Sequence, residues 1–589
     1  MTNRSLLRAA LAATLAFVAT SQPLSAQQAC PATTPGATMP LTYQGGPTVA
    51  AITACDLMTR LYIYSADSLR GREAGTPDAM RATVWIEREV RRLGLRPAGD
   101  NGTYFQNMPV SARIVSSTST ITSGGKTFRT DVDFYPGGAT ADRKITADVV
   151  YGGMLGDTVN ALGAEDARGK IVVMTGPANG RGVRNLGAAL AGAEAIALLS
   201  PTITRPRVRF VLNDTVQNEG RVAYAAAANG AGAGARGGAA AGGPLTLAVS
   251  SATAAAMLGK PVENARLGDK GGSTTIDVKV ELSAQPTRNV VAILDGTDPK
   301  LRNEYIVVGA HSDHIGVANT VAEHDSIKAY NIVARVEGAD SRSATPPTPE
   351  QWTRINAIKD SLRRVYPARL DSISNGADDD GSGTVSIMEI AEAFAKGSAK
   401  PKRSLIFIWQ MGEEKGLWGS EWFTNHPTVP RDSIIADLNL DMVGRGAATD
   451  VTGMNKDGQE LFGAENYVQL VGSRRLSTEL GDIVEQVNTT EKMPFKFDYS
   501  MDANGHPQNI YCRSDHANYA RFGIPVVFFT TGGHADYHQV TDEPQYIQYG
   551  HMARVDQEIY DIALKLGNLD HRVVVDKPKP DSPFARCQQ

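Results

Sequence analysis

Histidine is missing from the first half of the chain: all ten histidines lie at or after His311, so any imidazole-ligated metal belongs to the C-terminal half. Cysteine is almost as scarce. Cys30, Cys55, Cys512 and Cys587 form no CxxC, which argues against a thiolate zinc site. Four cysteines allow three pairings, and sequence alone does not choose among them. The pairing Cys30–Cys55 with Cys512–Cys587 is favoured here because each bridge would tie down a terminus. No apolar run reaches the ~20 residues that span a bilayer. Excess basic charge is lacking too: the 589 residues carry a formal charge of −4, which leaves no footprint for nucleic acid. Neither HExxH nor GxSxG occurs, so a helix-borne zinc protease and a serine hydrolase lose their anchors.

What is present begins with Arg4 and Arg8, then the apolar run Ala9 to Val18, then Ser25-Ala26 before Gln27. That order describes a secretory signal peptide over residues 1–26, cleaved near Ala26, and predicts a secreted or periplasmic protein. Residues 27–48 are rich in Pro, Thr and Gly and are expected to be flexible. In residues 49–137, Thr76-Pro77 starts a helix that carries Ala82, Trp85, Ile86, Val90 and Leu93 and stops at Gly94. Residues 138–283 alternate short β-like runs ("GKIVVMTG", "TTIDVKVEL") with Ala-rich segments, and predict a small, separate β-rich domain. Within it, residues 225–243 are of low complexity and read as a mobile loop. Over residues 284–570, Val/Ile/Phe runs alternate with helices, which predicts an α/β fold with a mostly parallel central sheet flanked by helices. Residues 571–589 read as a tail.

In such sheets functional residues gather at the carboxyl ends of strands. "YIVVGAHSDH" delivers His311 with Asp313 and His314, "LIFIWQMGEE" delivers Glu413-Glu414, and "IIADLNLDMVG" delivers Asp441. "GIPVVFFTTGG" is followed by His534 and His538, and the loop Asp378-Asp379-Asp380 adds three more acids. Each piece alone has an ordinary reading as a packed histidine, a solvated pair or a turn. Together they crowd like charges into low dielectric, which is costly without a cation. Mixed imidazole and carboxylate ligands suit Zn²⁺. The aspartate loop also fits a calcium loop from Asp378 at position 1 to Glu389 at position 12, although breakers rather than a helix lead into it.

The motifs "GAHSDH", "NGADDDGSG", "GEEKGLWGS", "NLDMVG" and "DYHQVTD", in that order, resemble the co-catalytic dizinc exopeptidases. This is the family of bacterial secreted aminopeptidases and glutamate carboxypeptidases. The resemblance covers roughly residues 48–137 and 284–567, while the block between is similar to a protease-associated (PA) domain insertion. It implies a zinc-exopeptidase (phosphorylase/hydrolase-like) fold, two Zn²⁺ ions and a peptide substrate. One zinc would be held by His311, Asp379 and Asp441, the other by Asp379, Glu414 and His538, with Asp379 bridging and a cis peptide to Asp380. Glu413 would be the general base, Asp313 the acceptor that orients His311, and Tyr537 a hydroxyl that steadies the tetrahedral oxyanion.

An aminopeptidase is the expected activity, with a glutamate-carboxypeptidase-like enzyme as the alternative. Further alternatives are a transferrin-receptor-like binding protein, which would lack the metal ligands, and a glutaminyl-cyclase-like enzyme with a single zinc. Two features depart from the family. Ser312 stands where a tyrosine is usual, and residues 318–374 form a long insert. There Thr348-Pro349-Glu350-Gln351 predicts a capped helix carrying Trp352, Ile355, Ile358, Leu362 and Val365. The insert could be a lid, a pocket wall, a subunit contact or surface decoration.

Overall fold

The computed structural model describes residues 29–589 except 34–36, 138, 140, 158–159, 177–189, 204–207, 229–242, 342–345, 449, 455–459 and 465. The expected signal peptide lies outside the described residues, as does most of the low-complexity loop. No helix among the described residues is long and apolar enough to cross a membrane.

Nine strands form the main sheet: β1 (Arg96–Pro97), β2 (Phe105–Asn107), β3 (Arg288–Leu294), β4 (Tyr305–His311), β5 (Ser404–Gln410), β6 (Ile434–Leu440), β7 (Tyr467–Val471), β8 (Lys496–Asp498) and β9 (Val526–Thr530). Their order is β1-β3-β5-β4-β6-β9-β7-β8, with β2 also paired to β3. The central four, β5-β4-β6-β9, are parallel, so their carboxyl ends share one edge. Strand β4 is the switch point: β5 lies on one side of it and β6 on the other. Every residue of β4, β5, β6 and β9 is buried, the mark of a sheet covered on both faces.

Helices α1 (Ala54–Tyr64), α2 (Gly383–Lys396) and α3 (Tyr549–Gly567) cover one face around Leu57, Phe394, Phe407 and Ile559. The other face packs Ile406 and Phe528 against Phe423 and Tyr519. The predicted helix at Thr76 is present as Pro77–Arg92, with the Thr76 side chain accepting from the Ala79 N–H.

An eight-stranded sheet with its own core around Ile121, Phe134, Val173 and Leu247 lies between the two segments of the main fold. It starts earlier than residue 138. Thr120–Ser123, Lys126–Arg129 and Phe134–Gly137 all belong to it. The first two are short and polar, with Ile121 and Phe128 as their core-facing apolar residues, so the hydrophobic pattern hides them. Gly124 and Gly125, both at positive φ, make the tight turn between them.

Both ends are less free than their composition suggests. Met39 is buried, its carbonyl accepts from Tyr366 Oη, and Cys30 is bridged to Cys55. In the tail, Val573 is buried, Gln589 bonds to the 501–511 region, and Cys587 is bridged to Cys512. Both favoured disulfides are therefore present.

The insert is built of an antiparallel strand pair, Val317–Glu323 with Leu370–Ile373, and helices His324–Ala334 and Pro349–Val365. The longer helix has the predicted capping box at Thr348 and Gln351. Of its apolar residues only Ile355 is buried, and Trp352 and Val365 are exposed.

Candidate metal centre

Each parallel strand releases its chemistry at the same edge. His311 is the last residue of β4, Asp441 follows β6 directly, and Glu413-Glu414 follow β5 by a turn through Gly412 at φ 92. His538 lies in the loop after β9 and itself has φ 55. The aspartate loop enters from below, at the start of α2, and the Asp379–Asp380 peptide is cis.

Asp379 stands between two groups of ligand atoms. Its Oδ1 is 3.1 Å from His311 Nε2, which is 3.6 Å from Asp441 Oδ1. Its Oδ2 is 3.0 Å from His538 Nε2, which is 3.0 Å from Glu414 Oε2. His311 Nε2, Asp379 Oδ2 and Glu414 Oε1 are buried and hydrogen-bond to nothing among the described residues. Buried polar atoms are rarely left so. A converging set of partnerless nitrogen and oxygen atoms fits a cation, and the mixture of imidazole and carboxylate fits Zn²⁺.

Electrostatics lead to the same conclusion. Burial and Asp379 oppose ionisation of Glu414, yet His314 and His538 pull its carboxyl down to about 2. His538 pays for desolvation, but Asp379 and Glu414 raise it to about 11.

The surrounding residues hold the ligands still. Asp542 accepts from the backbone N–H groups of Asp378 and Asp379, and Ser514 Oγ donates to Asp441 Oδ2 at 2.7 Å. Asp378 and Asp380 are held by other partners than Asp379, although an Asp380 oxygen lies within 4.8 Å of ligand atoms of His311 and Asp441. Asp378 faces His534 Nε2 at 3.1 Å, and Asp380 accepts from the backbone of His311, Gly383 and Met442. His534 is thus a partner of the loop. The calcium reading fails at its last position, because Glu389 accepts from Thr53 N and is paired with Arg60.

Asp313 is behind His311 as expected, but with different atoms. Its main-chain oxygen faces His311 Nδ1 at 3.1 Å, whereas its carboxylate accepts from Gly412 N and Glu413 N. It therefore orients the imidazole and the Glu413 turn together. Glu413 faces the cleft, and burial, with help from Asp441 and Glu414, pushes its carboxyl well above the usual range against the pull of His311.

The cleft is open to solvent and is lined by Asp379, Glu413, Asp441, Met442, Met501, Ile510, Phe528 and Tyr537. Tyr537 stacks on His538 with ring centres 4.0 Å apart and accepts from Arg513 Nη2 at 3.2 Å.

Two residues missed in the sequence, and one named there without a role, also belong to the site. Glu337 and Asp340, from the insert, line the same cleft, and Asp340 is 2.6 Å from Arg513. They are seated by Ala339 N, which donates to the Tyr537 carbonyl at 3.0 Å. The insert is thereby a pocket wall. His314, three residues beyond His311, has Nδ1 2.8 Å from Glu414 Oε1.

The profile of peptidase family M28 matches residues 289–563. That segment, just under half of the chain, is similar to peptidase family M28. Among its relatives is leucine aminopeptidase 1 of Aspergillus fumigatus, 27% identical over 236 residues, 38% of this chain and 52% of that protein. Leupeptin-inactivating enzyme 1 of Streptomyces exfoliatus is 29% identical over 242 residues, 40% of this chain and 43% of the other. The chain thus spans about half the length of these curated relatives. BSAP, a zinc aminopeptidase from Bacillus subtilis, superposes with a TM-score of 0.47 at 15% identity, covering 90% of this chain and 100% of that one. All the strand-end ligands lie within the M28 match.

Proposed function

We propose that the protein is an exported dizinc aminopeptidase. The observation that carries this reading is the group of partnerless ligand atoms around Asp379, set beside Glu413 in an open cleft. His311, Asp379 and Asp441 would hold one zinc, and Asp379, Glu414 and His538 the other. When bound, such a pair polarises a carbonyl and makes a water acidic. Glu413 takes a proton from the attacking water on its carboxylate and returns it to the leaving amine. The backbone N–H groups of Gly412 and Glu413, tied to Asp313, keep that carboxylate aimed at the cleft. The Tyr537 hydroxyl donates to the tetrahedral oxyanion, and Arg513 polarises it.

An amino-terminal specificity is supported by charge. Apart from the ligand acids and Glu413, the cleft presents Glu337 and Asp340 against Arg513, which is committed to Asp340 and Tyr537. With two acids to one arginine among these wall residues, the cleft suits a substrate ammonium better than a terminal carboxylate. Names among the relatives, leucine aminopeptidase 1 included, support the same choice, and Met442, Met501 and Phe528 offer an apolar wall for the side chain. Export is supported by the two disulfides. The eight-stranded unit is read as the protease-associated-like insertion.

A panel of amino-acid 4-nitroanilides beside C-terminal glutamyl peptides tests the activity. Zinc-dependent cleavage of the anilides is expected, and cleavage of the glutamyl peptides alone would overturn the aminopeptidase reading.

A further inference from the structure

We infer that His314 is a fourth protein ligand of the cation held by Asp379, Glu414 and His538, which makes the two metal positions unequal. The inference rests on the dizinc reading above. His314 is fully buried, and neither ring nitrogen makes a hydrogen bond among the described residues. Its Nδ1 is 2.8 Å from Glu414 Oε1 and 3.7 Å from Asp379 Oδ2, yet the ring is not aimed to donate to either. The atoms of His314, Asp379, Glu414 and His538 all lie within 4.8 Å of one another. Four ligands about 2.0–2.1 Å from a tetrahedral zinc stand roughly 3.3 Å apart. The separations of 2.8, 3.0, 3.0 and 3.7 Å scatter around that edge.

The fold makes room for this imidazole. Gly376 lies against it, where a Cβ would meet His314 Cγ at 2.5 Å and Cδ2 at 2.6 Å. The His538 ring stands edge-on to it, at 5.5 Å and 74°.

The consequence is a division of labour. With four protein ligands the His314 position is closed, as structural zinc sites are. The other, with His311, Asp379 and Asp441, keeps an open place, and His311 and Asp441 are among the charges that Glu413 feels most strongly.

Zinc-loaded crystals of the wild-type protein, mapped by anomalous scattering at the zinc edge, test this directly. A peak within about 2.2 Å of both His314 Nδ1 and His538 Nε2 is expected. A peak on His538 with His314 Nδ1 beyond about 3 Å would overturn the fourth ligand while leaving the dizinc reading intact. Absence of paired peaks would sink the dizinc reading itself, and this inference with it. Chelator competition on His314→Ala gives a second measure. A loss above about 100-fold at one site, the other unchanged, is expected. A smaller loss, of the ~10–100-fold that supporting partners contribute, or none, counts against direct ligation.

Discussion

Replacing Gly376 by alanine should injure the metal centre from beneath. Gly376 has φ +55, and an added Cβ would stand 2.3 Å from the Asp379 carbonyl oxygen and 2.5 Å from His314 Cγ. Two costs follow. A side chain in the left-handed region costs about 1–2 kcal/mol, and crowding a packed interior costs about 1–3 kcal/mol more. Gly94→Ala separates them, because Gly94 has φ +75 with nothing within 4 Å of its Cβ position and should show the first cost alone. Urea unfolding of the metal-free proteins measures both variants. Gly376→Ala is expected to lose about 2–5 kcal/mol and Gly94→Ala about 1–2 kcal/mol. Zinc affinity should fall only in Gly376→Ala, because relief of the clash must move Asp379 or His314. Equal stability losses in the two variants, with zinc affinity unchanged in Gly376→Ala, would refute the reasoning.

Glu413→Gln should bind two zinc ions, by metal analysis, yet lose about 10²–10⁴-fold in kcat, the usual share of a general base; near-normal turnover would remove Glu413 from that role. Cys512–Cys587 closes a loop with a sequence separation of 75, so Cys587→Ala should lower stability by about 4.5 kcal/mol at most, read from the urea midpoint of the oxidised proteins. Asp556 on α3 is pushed by burial to about 8. Between pH 5 and 7 its unfolded form has released the proton that the folded form keeps, so it lowers stability by about 1.4 kcal/mol per pH unit as pH rises. Asp556→Asn should flatten the stability profile by that slope; an unchanged profile would mean that Asp556 is ionised in the fold.

The strand-end ligands were legible because two local properties coincide in them. A run such as Tyr305–Ala310 is apolar throughout, which predicts a buried parallel strand, and His311 after it is the first residue that can ligate a metal. Parallel pairing then brings His311, Glu413-Glu414 and Asp441 to one edge without further information. Asp379 needed the resemblance, since three adjacent acids look alike until the backbone around the cis bond divides their tasks. Asp313 shows the limit of spacing arguments: it was placed behind His311, but which of its oxygens bonds there is set by the turn at Gly412.

The insert and His314 were beyond that limit for a common reason. Glu337 and Asp340 reach the cleft because a backbone N–H of Ala339 meets a carbonyl of Tyr537 from a distant part of the chain, and main-chain pairing of this kind leaves no mark on residue type. His314 was visible in the motif, but its role depends on a glycine far along the chain having no side chain at Gly376. Both bear on the neighbours of His538, His314 through Glu414 and the insert through Tyr537. Of the two departures from the family pattern, the insert therefore bears on the His538 side, while Ser312 stands beside His311 and donates to the Gln410 carbonyl.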